Sequence, residues 1–283
     1  MTIATVDYEK EYDNRGRVPE HPEIFLRRER EATAYRAATP NAQLGVPYGP
    51  SPRQKFDFFP AADAGAPIAM FIHGGYWSMG EPALYSHLAK GLNGNGVTVA
   101  IVGYDLCPNV SVAAIIEELR AAVIALWRRY RRRIFVYGHS AGGHLAVCML
   151  TTDWSTLASD APADLTPAAC AISGIYDLAP LLKVSQNKEL RLDATSAHAV
   201  SPLFWKVPPG RTLDVVVGAT ESSEFLRQSR IIAERWRKCG AATRYEEAAG
   251  ANHFTVIDPL ADADSTMTRR IAALAKQVAA LPL

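Results

Sequence analysis

Short apolar runs alternate with helical repeats from about residue 54 to the end of the chain. Residues 53–59 (RQKFDFF) alternate as a strand, and compact runs follow at 67–72 (PIAMFI), 97–102 (VTVAIV), 134–137 (IFVY), 168–172 (AACAI) and 213–217 (LDVVV). Short strands of this nearly continuous apolar character fit a parallel sheet covered on both faces. Between 112 and 130, Ile116, Leu119, Val123, Leu126 and Tyr130 recur at steps of three and four, the period of a helix with one buried face. Glu117 and Glu118 near its start and the arginines at 128, 129 and 131–133 near its end suit the helix dipole, so the arginine run is read as a solvated helix end. A last helix spans about 265–281, with Ile271, Leu274 and Val278 on its inner face.

Two stretches break the alternation. Residues 1–50 are charged and punctuated by proline, and read as a helix and an arm laid over one domain that spans 1–283. Residues 178–211 carry Pro180, Pro202, Pro208 and Pro209 with few periodic apolar positions, and read as a small cap inserted after a strand. The expected fold class is therefore α/β, a mostly parallel sheet with helices on both faces.

Composition narrows the function classes. At 48% hydrophobic and 21% charged, the 283 residues fit a globular chain, against disorder or a coiled coil. Thirty basic and 29 acidic side chains leave a formal net charge of +1, which provides no field to attract nucleic acid or anionic membrane. No apolar run reaches the ~18 residues of a membrane span, and the acidic N-terminal stretch is unlike a secretory signal. Cys107, Cys148, Cys170 and Cys239 are scattered without a CxxC pair, which fits reduced thiols in a cytoplasmic enzyme. A small-molecule substrate is expected, with a homodimer compatible with the chain.

The sharpest local signal is Gly138-His139-Ser140-Ala141-Gly142, a G-x-S-x-G between an apolar strand and what reads as an amphipathic helix. In that context the motif is a nucleophile elbow, a tight turn that exposes a serine and needs glycine on either side. Ser140 is the expected nucleophile. Its tetrahedral intermediate would need an oxyanion hole, with one donor at the Ala141 amide and others at Gly74, Gly75 and Tyr76 in HGGYW (73–77), directly after the strand PIAMFI. Of seven histidines only His253 follows a late strand candidate (243–247) on a short loop, and it is the expected base. Glu221, at the carboxyl edge of the strand 213–217, is the preferred acid, with Asp177 as competitor and Glu224 placed in the next helix. His73 reads as a shaper of the oxyanion loop and His144 as a structural side chain; no ligand motif makes His73, His139 and His144 a metal site, and no cofactor is expected.

These residues resemble a known family. HGGYW at 73–77, GHSAGGHLA at 138–146, VGATESSEF at 217–225 and NHF at 252–254 are similar to the serine-hydrolase type of arylformamidase (kynurenine formamidase), α/β-hydrolases near the hormone-sensitive-lipase-like esterases. The resemblance runs over roughly 46–257. It implies the triad Ser140, Glu221 and His253, where the family usually has aspartate at the position of Glu221. It also implies hydrolysis of an N-formyl arylamine such as N-formylkynurenine, in tryptophan catabolism, with Trp77, Phe204, Trp205 and Phe254 as aromatic candidates against the aryl group. A short-chain carboxylesterase would need the same triad and oxyanion hole. A binding protein that had lost catalysis would show a broken triad, whereas serine, acid and histidine are all present in order.

Overall fold

The computed structural model describes residues 6–282. Among the described residues, eight strands form one sheet: β1 (Gln43–Pro47), β2 (Lys55–Phe59), β3 (Ile68–Ile72), β4 (Thr98–Val102), β5 (Ile134–His139), β6 (Ala168–Ile172), β7 (Thr212–Gly218) and β8 (Ala242–Ala248). Their order across the sheet is β1-β2-β4-β3-β5-β6-β7-β8. Every pair from β4 to β8 is parallel, and β1 and β2 join antiparallel at one edge.

Side chains alternate between faces along each strand, and both faces are covered. Ile68, Met70 and Ile72 of β3 join one apolar layer while Ala69 and Phe71 join the other; Ile134 and Val136 of β5 part from Phe135 and Tyr137 in the same way. This is why the strands read as unbroken apolar runs. Against the first layer pack α5 (Val112–Tyr130), α6 (Ala141–Thr151) and α9 (Ser223–Lys238); against the second pack α4 (Ala89–Gly94) and α10 (Thr266–Ala279). The periodicity placed α5 on its observed boundaries, where the Ser111 hydroxyl caps the Ala114 amide at 3.1 Å and Arg131 closes the helix with φ 51°.

Three elements depart from the sequence reading. β1 has no apolar alternation: it is an edge strand, mostly exposed, with Gly45 at φ 67°. β2 looks half-polar yet is buried from Phe56 to Phe59, because Arg36 neutralises the Asp57 carboxylate and the Gly45 amide donates to it at 2.8 Å. Helix α6 is not amphipathic: Ala141 to Leu150 are all buried, enclosed by the sheet, α5 and the segment after β6.

Within residues 6–50 lie α1 (Tyr8–Tyr12), α2 (Asn14–Arg17), the long α3 (His21–Ala38) and β1. The 178–211 segment holds short turns and two brief helices, α7 (Asn187–Leu190) and α8 (Ala194–Ala199). The Ser201 hydroxyl ties this segment together, accepting from the Leu178 amide at 2.9 Å and donating to the Ala197 carbonyl at 2.6 Å.

Candidate active site

Ser140 sits between β5 and α6 with φ 57° and ψ −121°, a strained backbone for a residue with a side chain. The turn survives because its neighbours are glycine. A Cβ on Gly142 would fall 1.9 Å from the Ile72 carbonyl oxygen, and one on Gly138 would fall 2.2 Å from that of Gly142. The Ser140 amide donates to Ile172 O at 2.8 Å, anchoring the turn to β6.

The loop after β8 brings His253 to this turn, with Nε2 3.1 Å from Ser140 Oγ. Its Nδ1 lies 2.6 Å from Glu221 Oε2. The other Glu221 oxygen accepts from the Gly218 amide at 2.7 Å and from the Ser173 hydroxyl. A carboxylate with all these partners is held in one orientation and fixes the imidazole tautomer: Nδ1 donates to Glu221, leaving Nε2 to accept the serine proton. Asp177 instead accepts from the Ala179 amide at 3.1 Å and turns the chain after β6. Glu224 lies in α9, bound to Tyr12 and Arg227.

The HGGYW loop lies directly against Ser140. A Cβ on Gly74 would approach Ser140 Cβ to 2.9 Å, and Gly75 adopts φ 118°. Among the described residues, the amides of Gly75, Tyr76 and Ala141 donate to no protein acceptor, as donors reserved for an oxyanion would be. His73 Nδ1 bonds the Gly74 carbonyl at 2.8 Å and the Tyr104 hydroxyl bonds the His73 carbonyl at 2.8 Å, which braces this loop. Burial holds His73 and His144 neutral, each pushed down to about 4, and burial together with the nearby His253 pushes His139 well below the usual imidazole range. The neutral His139 donates from Nε2 to the His253 carbonyl at 2.8 Å. His144 accepts from Trp77 Nε1 at 3.3 Å and donates to the Val200 carbonyl at 2.7 Å.

A cavity of about 530 Å³ opens onto Gly74, Gly75, Tyr76, His139 and His253. Of the four aromatic residues expected against a substrate, only Phe254 lines it. Trp77 is fully buried and bonded to His144. Phe204 is 42% exposed and stacks on His198, and Trp205 donates to the Ala199 carbonyl at 3.0 Å, so neither reaches the cavity. The 178–211 segment contributes Val184, Ser185 and Gln186 to the wall. Most of the remaining cover comes from the N-terminal helices, through Tyr12, Arg15, Phe25 and Arg28 among others. Phe25 meets Phe254 edge-on with ring centres 5.1 Å apart, and Arg28 ties α3 down by binding Asp258 and the Phe254 carbonyl. These cavity residues escaped the sequence reading because residues 1–50 carry neither motif nor periodicity. Ser173 escaped likewise, although it directly follows the strand 168–172, at the edge where such sites assemble.

Residues 69–257 match the α/β-hydrolase fold family. A kynurenine formamidase from Salmo salar is 31% identical over 240 residues, covering 80% of this chain and 79% of that protein. One from Danio rerio is 29% identical with the same coverage. Among solved structures, a provisionally assigned thioesterase from Silicibacter sp. TM1040 superposes with TM-score 0.85 at 31% identity, covering 94% of this chain and 99% of that one. The chain belongs to the α/β-hydrolase fold family and, within it, to the kynurenine formamidases.

Proposed function

We propose that this enzyme hydrolyses an aryl formamide of the N-formylkynurenine type to formate and the free aryl amine, through a formyl-enzyme on Ser140. The kynurenine formamidase relatives, matched over four fifths of both chains, carry the substrate reading. The chemistry follows from the site. Ser140 Oγ attacks the formyl carbon as His253 Nε2 takes its proton, and the Gly74, Gly75, Tyr76 and Ala141 amides receive the charge on the former carbonyl oxygen. Glu221 stabilises the imidazolium. His253 then protonates the aryl nitrogen as the C–N bond breaks, the amine leaves, and a water deprotonated by His253 attacks the ester to release formate and restore Ser140. The close approach of Gly74 to Ser140 suits a small acyl group, and the Phe25–Phe254 pair offers an aromatic wall to the aryl ring.

A carboxylesterase would use the same relay. Specificity constants for N-formylkynurenine and p-nitrophenyl acetate separate the two, with the formamide expected to be preferred; ester hydrolysis faster by several orders of magnitude would overturn the formamidase reading. A cytoplasmic location and a homodimer belong to the same proposal, the first resting on the unpaired cysteines, and fractionation and sedimentation test them.

A further inference from the structure

Five charged side chains face the cavity: Glu9, Asp13, Arg15, Arg28 and Glu29, all from the N-terminal helices. Three are already engaged. Glu9 accepts from the Ser185 amide and hydroxyl at 2.6 and 2.5 Å, Asp13 caps the Gly16 amide at 2.9 Å, and Arg28 is neutralised by Asp258 at 2.8 Å. Arg15 is different. Its guanidinium rests on the Met79 sulfur at 3.3 Å and, among the described residues, meets no carboxylate.

The position of Arg15 is set by the oxyanion loop itself. The Met79 amide donates to the Gly75 carbonyl at 3.0 Å, so the sulfur beneath Arg15 belongs to the turn that carries the oxyanion donors. One residue earlier, Asn14 Nδ2 lies 3.5 Å from the Tyr76 hydroxyl, which donates to the Tyr12 carbonyl. Residues 12–15 are thus tied to the oxyanion loop at Tyr76, through Tyr12 and Asn14, and at Met79, through Arg15 itself. A cation held at the wall of an aromatic cavity, with one donor on a neutral sulfur and, among the described residues, no carboxylate partner, is suited to receive an anion.

We infer that Arg15 is a specificity-determining residue that binds a carboxylate on the substrate, at a distance from the scissile bond. Glu29, the other uncommitted charge, lies on the same wall and complements an ammonium group, so the pair favours an amino-acid head group over a neutral arene. This rests on reading the cavity as the substrate site, and it assigns the selectivity to a segment outside residues 69–257 that match the fold family.

The test uses N-formylkynurenine and its carboxamide, which differ only in the carboxylate, binding to the inactive Ser140→Ala protein by calorimetry. The carboxylate is expected to bind more tightly. Adding Arg15→Gln should shrink that preference by about tenfold, the weight of a charge-assisted hydrogen bond, while Arg15→Lys keeps part of it. Thermal melting checks that each variant folds. No carboxylate preference, or one that survives Arg15→Gln, overturns the inference. Formate release by the unaltered enzyme is read separately: if the preference is found but no formate appears, the formamidase reading fails and the role of Arg15 stands.

Discussion

Glu221 reaches His253 Nδ1 at 2.6 Å with one carboxylate oxygen while the Gly218 amide at 2.7 Å and the Ser173 hydroxyl hold the other. The longer glutamate side chain folds back over its own strand end, where Gly218 leaves room: a Cβ there would come within 3.0 Å of Glu221 Oε1. The extra methylene relative to the family's usual aspartate is thereby absorbed. Glu221→Gln should lower kcat by about 10⁴-fold, since the amide cannot hold the imidazole in the working tautomer or stabilise its charged form. Glu221→Asp should also be strongly impaired, because its carboxylate withdraws from His253. Asp177→Asn should keep near-normal turnover; the reverse ranking in steady-state kinetics would move the acid role to Asp177.

The proposed role of Ser140 as nucleophile is open to direct chemistry. An organophosphonate should label the enzyme at one serine, visible as a mass increase, and Ser140→Ala should abolish the label. Labelling that persists in the variant would place the nucleophile elsewhere.

Aromatic recognition should follow the cavity wall. Phe25→Ala removes the edge-on partner of Phe254 and should raise KM for an aryl formamide by about two- to twelvefold, from the ~0.5–1.5 kcal/mol of an aromatic pair. Phe204→Ala, on a ring facing solvent and His198, should leave KM unchanged. A KM effect at Phe204 and none at Phe25 would contradict the cavity described.

Acid should unfold this protein early. Burial lowers His73 and His144 from 6.5 to about 4 in the folded state, so between those values the unfolded chain binds more protons. Stability is then fully present above about pH 6.5 and falls as the pH drops toward 4. Each such histidine contributes up to about 1.4 kcal/mol per pH unit. Urea midpoints measured from pH 7 to 4.5 should show that decline, and His144→Gln should make it shallower; an unchanged slope would sink the assignment.

That Ser140, His253 and Glu221 would meet was legible in the sequence, because each occupies a local signature at a strand end: a glycine-flanked serine, a histidine after the last strand, and an acid shortly after β7. The strands of the parallel core were legible because burial on two faces writes a continuous apolar run, and α5 because burial on one face writes a helical period. Helix α6 misled for the opposite reason, since enclosure on all sides leaves no polar stripe. Whether Trp77, Phe204 or Phe25 would face the cavity was not encoded locally, because an aromatic side chain satisfies a core, a surface stack or a binding wall equally well. The net charge of +1 hid the same ambiguity. Only the docking of α1 to α3 over the oxyanion loop decided which charges were spent on neighbours, as Arg28 is on Asp258, and which, like Arg15, were left facing the cavity. Local sequence therefore determined the chemistry, whose parts are fixed by backbone geometry at strand ends, while long-range packing between segments far apart in the chain decided what that chemistry is shown.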